Sequence, residues 1–188
     1  MTVMTDIEYP PGSAPMTVHD LDGMPQDGRR HELIDGVLVV TPAPGYRHQK
    51  IGYRLYHVLE SACPPEFDVL GAPFAVHIGD KLELQPDVLV GWSEDFTEKD
   101  LPAPPVLAVE VLSPSTTIHD LNTKKATYER LGVPSYWVID PDGPELTVFE
   151  LDGDGRYQQV AKAAGAQAFE AQRPFPVRVV PAALVGRS

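Results

Sequence analysis

Residues 104–113, "PPVLAVEVLS", form an almost unbroken apolar run that opens on two prolines. A run of this kind reads as a central strand covered on both faces, which calls for layers above and below a sheet. The run carries one charge. Alternation along a strand puts Ala108, Glu110 and Leu112 on one face and Leu107, Val109 and Val111 on the other. An ionised carboxylate buried there costs on the order of several kcal/mol unless something compensates it. Either Glu110 lies near a strand end and reaches solvent or a surface cation, or the fold supplies a bound cation.

The segment after this strand reads as a helix. Thr117 is its expected N-cap, Asp120 the capping-box partner, and Gly132 the stop, with Pro134 just beyond. Leu121, Lys124, Tyr128 and Leu131 recur at helical spacing and share the face that should pack on the sheet. Lys124 is then a cation on a buried stripe, while Lys125, about 100° further round, should meet water. Lys124 either snorkels, with its stem packed and its head in solvent, or holds its ammonium beside buried carboxylates.

Around these two elements the chain reads as mixed α/β. "ELIDGVLVVTPAP" is a hairpin turning at Asp35-Gly36. "YRHQKIGYRLYHVLESA" is a helix whose apolar stripe, Ile51, Leu55, Val58, Leu59 and Ala62, extends backward onto His48. "FDVLGAPFAVHI" and "KLELQPDVLVGW" read as two strands joined at Gly79-Asp80. "SYWVID" and "ELTVFEL" follow the second helix, and later residues give weaker strand signals, of which "FPVRVV" is the best. Residues 1–15, with four prolines and glycines near their end, read as a flexible tail, and residues 16–188 as a single domain. Asp87, after Pro86, opens the run "VLVGW". It is either turn chemistry or a partner for Glu110 in a hard-oxygen site suited to Mg²⁺ or Mn²⁺.

Composition narrows the classes. A net charge of −12 argues against nucleic-acid binding by the whole surface, although Arg47, Lys50 and Arg54 form one local basic cluster and Lys124, Lys125 and Arg130 another. No apolar run approaches the ~20 residues a bilayer requires, and the N-terminus has no secretory-signal pattern. The lone Cys63 excludes an intrachain disulfide and a cysteine zinc cluster. A cytoplasmic protein is the expectation.

Pro86-Asp87 followed on the next strand by "EVL" at residues 110–112 resembles the PD-(D/E)xK nuclease superfamily. The larger set "ELIDG", "HQ", "PDV" and "EVLSPST", with Asp120, Lys124, Tyr128, Gly132-Val133 and Tyr136-Trp137, resembles the Uma2 family of bacterial restriction-endonuclease-like proteins over about residues 17–151. The resemblance implies a restriction-endonuclease-like core, a central mixed sheet flanked by helices, with the hairpin as an N-terminal extension. It also implies metal-dependent hydrolysis of phosphodiester bonds. Asp87, Glu110 and the Val111 carbonyl would hold Mg²⁺ or Mn²⁺. The superfamily lysine belongs two residues after the glutamate, where this chain has Leu112; Lys124 matches the position of a lysine migrated to the following helix. Glu32 of "ELIDG" and His48 of "HQ" would join the site, unless Glu32 is a solvated strand residue and His48 bonds only backbone. The implied partner is nucleic acid, with DNA the favoured form, cut by a homodimer. The competing expectation is a catalytically silent scaffold that binds a protein or nucleic acid.

Overall fold

The computed structural model describes residues 15–25, 27–113 and 119–186. The expected tail, apart from Pro15, and the Thr117 cap lie outside these residues. A short helix α1 (Val18–Leu21) leads into a hairpin, β1 (Arg30–Ile34) and β2 (Val37–Thr41). Its turn residues Asp35 and Gly36 both have left-handed backbone, φ 52° and 79°, as a two-residue turn between twisted strands requires. Helix α2 (Tyr46–Glu60) is followed by β3 (Phe67–Gly71), β4 (Ala75–His77), β5 (Glu83–Leu84), β6 (Val88–Trp92), the short β7 (Asp100–Leu101) and β8 (Leu107–Val111). A π-helical turn over His119–Lys124 runs into α3 (Lys125–Leu131). Strands β9 (Ser135–Asp140), β10 (Glu145–Leu151), β11 (Tyr157–Ala164), β12 (Phe169–Ala171) and β13 (Val177–Val179) follow, then α4 (Pro181–Val185).

The central sheet has the order β11-β10-β9-β8-β6-β3. It is mixed: β8 and β9 are parallel and joined through α3, while β6 pairs antiparallel with β8 and β3. All five residues of β8 are buried. Helix α2 covers one face, packing Ile51, Leu55 and Leu59 against Val88, Val109, Val111 and Trp137. The other face carries Ala108, Tyr136 and Val138, covered by Tyr128 of α3 and by Ile34 and Leu84 of the second sheet. The alternation expected for Leu107–Leu112 is therefore the observed one.

That second sheet, β2-β1-β5-β4-β7, contains the N-terminal hairpin. It also explains a difference from the sequence reading. The runs 67–78 and 81–92 are not single strands. Each breaks midway, and the outer halves β3 and β6 pair in the central sheet while the inner halves β4 and β5 pair in the other. The breaks fall at Pro73 and at Pro86, which have no N–H to give a ladder. Gly79-Asp80 still turns the chain, within a 3₁₀ turn over Gly79–Lys81. Pro86 thus sets Asp87 at the corner where one sheet ends and the other begins. Among the described residues, no helix is long and apolar enough to cross a membrane.

Candidate active site

Extending the β6–β8 register Val88↔Val109 by one residue sets Asp87 opposite Glu110. The ladder ends there, and the Asp87 carboxylate takes the acceptor's place: Val111 N–H donates to its Oδ2 at 2.8 Å. His48, on the first turn of α2, brings Nε2 to 3.0 Å from the same oxygen. Arg30 donates from Nη2 to Asp87 Oδ1 at 2.9 Å and from Nη1 to the Gln85 carbonyl at 3.1 Å.

Deeper in the layer, the Lys124 ammonium lies 3.0 Å from Glu110 Oε1 and 3.0 Å from Glu32 Oε1. The Tyr128 hydroxyl donates to Glu110 Oε1 at 3.1 Å, and Gln85 N–H donates to Glu32 Oε1 at 2.8 Å. Glu32 and Glu110 are each 1% exposed and Lys124 3%. The charges are thus compensated inside the protein, by ion pairs and by hydrogen bonds from backbone and phenol, as buried charge requires.

The site shifts its own titrations. Burial alone would raise Asp87, but the His48 hydrogen bond and the charges of Arg30 and Lys124 outweigh it and hold the carboxyl below its ordinary value. Burial opposes the charge of Arg30, yet Asp87, Glu110 and Glu32 together raise its guanidinium above the usual value. Burial, reinforced by Glu110 and Glu32, pushes the Tyr128 phenol well above 10.0, so it stays a donor.

Lys124 lies on the inward face that helical spacing gave it, but the approach to α3 departs from that spacing at Leu121. The wider π turn rotates the residues before Lys124 relative to those after it. Leu121, expected on the buried stripe, is instead 39% exposed, while Lys124 and Tyr128 face inward. Lys125 does not simply face water: its ammonium lies over the Phe149 ring, 4.3 Å from the centroid. Gly132, left-handed at φ 77°, closes α3, with its own N–H and that of Val133 capping the last turn.

Asp87, Arg30 and His48 front a cleft of about 190 Å³ between α2 and the end of β3. The structure gathers Glu32, His48, Asp87, Glu110 and Lys124 into one cluster, to which Val111 gives its N–H. Two members were not singled out in the sequence. Arg30 stands two residues before Glu32 on β1 and so shares its face, a signal hidden because the hairpin seemed to begin at Glu32. Tyr128 was assigned to the buried face but not to the site; it follows Lys124 by one turn. Among the described residues, no three His, Cys, Asp or Glu side chains converge as a metal cage.

A mixed sheet flanked by helices, with acidic residues at adjoining ends of β6 and β8, defines a restriction-endonuclease-like α/β fold. The chain belongs to the Uma2 family, described as "putative restriction endonuclease", whose model matches residues 18–183. It is also similar to the crystal structure of a protein from Anabaena variabilis described as a "putative nuclease belonging to DUF820", with a TM-score of 0.69 and 20% identity over 91% of this chain and 98% of that one. At that identity the likeness speaks for the fold. No curated protein matches the chain.

Proposed function

We propose that the protein is a metal-dependent nuclease that hydrolyses phosphodiester bonds in nucleic acid, DNA being the favoured substrate. The observation that carries this reading is the buried Lys124 ammonium between Glu32 and Glu110. It occupies from the helix the role that Leu112 leaves vacant on the strand. A buried lysine on a π turn is an expensive arrangement, and such turns are frequent at functional sites.

The donor set suits a hard cation. Three carboxylates face two permanent cations, a formal sum of −1, and carboxylate oxygens match Mg²⁺ or Mn²⁺. Asp87, Glu110 and the Val111 carbonyl would hold the ion. When bound, it lowers the pKa of a coordinated water and neutralises charge on the phosphate. The chain's own groups do the rest. Lys124 supplies fixed positive charge against the developing negative charge on phosphorus. Glu32 and Tyr128 restrain Lys124 and Glu110 to one arrangement. Arg30 and His48, at the cleft, meet the phosphate oxygens. One such site cuts one strand, so duplex cleavage calls for a two-fold pair of copies.

A second reading is a silent scaffold. It is favoured by the protein's own donors, which already occupy both Asp87 oxygens and Glu110 Oε1. Labelled single- and double-stranded DNA and RNA, incubated with Mn²⁺ or with chelator, separate the two. Nuclease action predicts chelator-sensitive cleavage by wild type and none by Lys124→Met. Intact substrate in every arm, with folded protein, leaves the scaffold.

A further inference from the structure

The cleft beside Asp87 is built for more than phosphate. Its α2 wall is made by His48, Gln49, Gly52, Tyr53 and Tyr56, which share one helix face. Gly52 interrupts an otherwise well-formed helix. A side chain there would meet nothing within 4 Å, so no packing contact calls for a glycine; its absence of side chain opens the slot. The opposite wall includes a second glycine, Gly71, whose Cβ would sit 3.3 Å from the Asp87 carbonyl. The result is a narrow slot with an aromatic side and a charged inner end.

The adjoining surface of α2 continues this chemistry. Tyr46, Lys50, Tyr53 and His57 follow one another at helical spacing and are all exposed. Tyr46 is 81% exposed and Tyr53 68%, among the few large apolar-bodied side chains left open to water. Lys50 makes no ion pair among the described residues. Aromatic rings alternating with a cation beside a charged groove are the features by which proteins hold unpaired bases and track the backbone of a single strand. A stacked base pair is too large for about 190 Å³, which is below the range of drug-sized sites.

We propose that this slot is a base-binding subsite: one unpaired base of a single-stranded segment stacks on Tyr53 over Gly52, which carries its phosphate toward Arg30. The reading rests on the nuclease proposal for its placement, but not for its test.

The test is equilibrium anisotropy in chelator with labelled twelve-nucleotide strands: deoxy, ribo, duplex, and deoxy with a central abasic tract. Wild type should bind single strands about tenfold more tightly than duplex and lose that margin with the abasic strand. Tyr53→Ala should lose about tenfold on single strands, and Tyr53→Phe should keep wild-type affinity. Gly52→Leu, which improves helix propensity and fills open space, should also lose it while remaining folded. Equal affinity for duplex and single strand, undetectable binding to any single strand, or unchanged binding in both Tyr53→Ala and Gly52→Leu overturns the subsite. Deoxy against ribo strands tells which sugar is preferred. Base-dependent binding without Mn²⁺-dependent cleavage keeps the subsite and removes the nuclease reading. Cleavage of duplex unaffected by Tyr53→Ala does the reverse.

Discussion

Glu32, Asp87 and Glu110 share a small volume with Arg30 and Lys124, and buried charges of this kind respond asymmetrically to mutation. Replacing a whole network by apolar residues can be neutral, whereas removing one partner strands the other. Lys124→Met should therefore lower unfolding free energy by about 3–5 kcal/mol, read by urea titration, because two carboxylates lose one counter-ion. Adding Glu32→Gln should recover part of that loss, so the two substitutions should couple strongly. Simple additivity would mean that Lys124 is not their shared counter-ion. Proton linkage provides a second reading of the same residues. Asp87 titrates below its ordinary 3.8 in the folded protein, so its contribution is present above that pH and is lost as the pH falls through the lowered value. Asp87→Asn should flatten the acid limb of stability against pH. Tyr128 is shifted the opposite way: its contribution is complete below pH 10.0 and fades as the pH rises beyond it. Tyr128→Phe should remove part of the alkaline limb, leaving the share of Tyr157, whose buried phenol is also raised.

At the scale of elements, the question is whether strand β8 and helix α3 serve one site. Leu112 shares the Glu110 face, is half-buried, and donates its N–H to the Ile139 carbonyl at 2.8 Å. A lysine at 112 should bring its ammonium to the same carboxylate. If the nuclease reading holds, Lys124→Ala with Leu112→Lys should recover part of the single-turnover cleavage that Lys124→Ala loses. Recovery stays partial because Leu112 also packs against the Tyr128 cluster. A folded double variant as inactive as Lys124→Ala would separate the two positions. The end of α3 has its own expectation: Gly132→Ala places a Cβ on left-handed backbone and should cost about 1 kcal/mol in thermal or urea unfolding. These elements also show what the sequence could reveal. Continuous apolarity identified β8, Asp35-Gly36 the hairpin and Gly132 the helix stop, because each is a local signal. The break of two runs into four strands depends on which sheet receives each half, a tertiary choice that Pro73 and Pro86 permit but do not dictate. Helical spacing did put Lys124 inward, but the π turn, which moves Leu121 outward, leaves no mark in it. Arg30 was hidden for a similar reason, since its partner Asp87 lies 57 residues away.

The molecule as a whole carries −12, so a nucleic acid reaches the cleft against the mean field rather than with it. Affinity must then come from a few local cations and from stacking. Arg30 borders the cleft while paired with Asp87, and Lys50 lies on the exposed face of α2; Arg47, also on α2, is turned to Asp142 at 2.9 Å and to the Pro141 carbonyl, away from the cleft lining. Each phosphate contact on a single strand contributes a slope of about −0.7 to log affinity against log salt. Two contacts therefore predict a shallow slope of about −1.4 for the wild type. Releasing Arg47 should add one contact. Its pair with Asp142 is exposed, Arg47 52% and Asp142 81% at the side chain, so breaking it costs little stability. Asp142→Asn should accordingly leave the unfolding midpoint unchanged, tighten single-strand binding at low salt, and steepen the slope by about 0.7. A wild-type slope steeper than about −4 would mean about six phosphate contacts or more, more than α2 and Arg30 can supply, and would place the nucleic acid on another surface. An unchanged slope in Asp142→Asn would remove Arg47 from its path and confine the strand to the Lys50 side of the cleft.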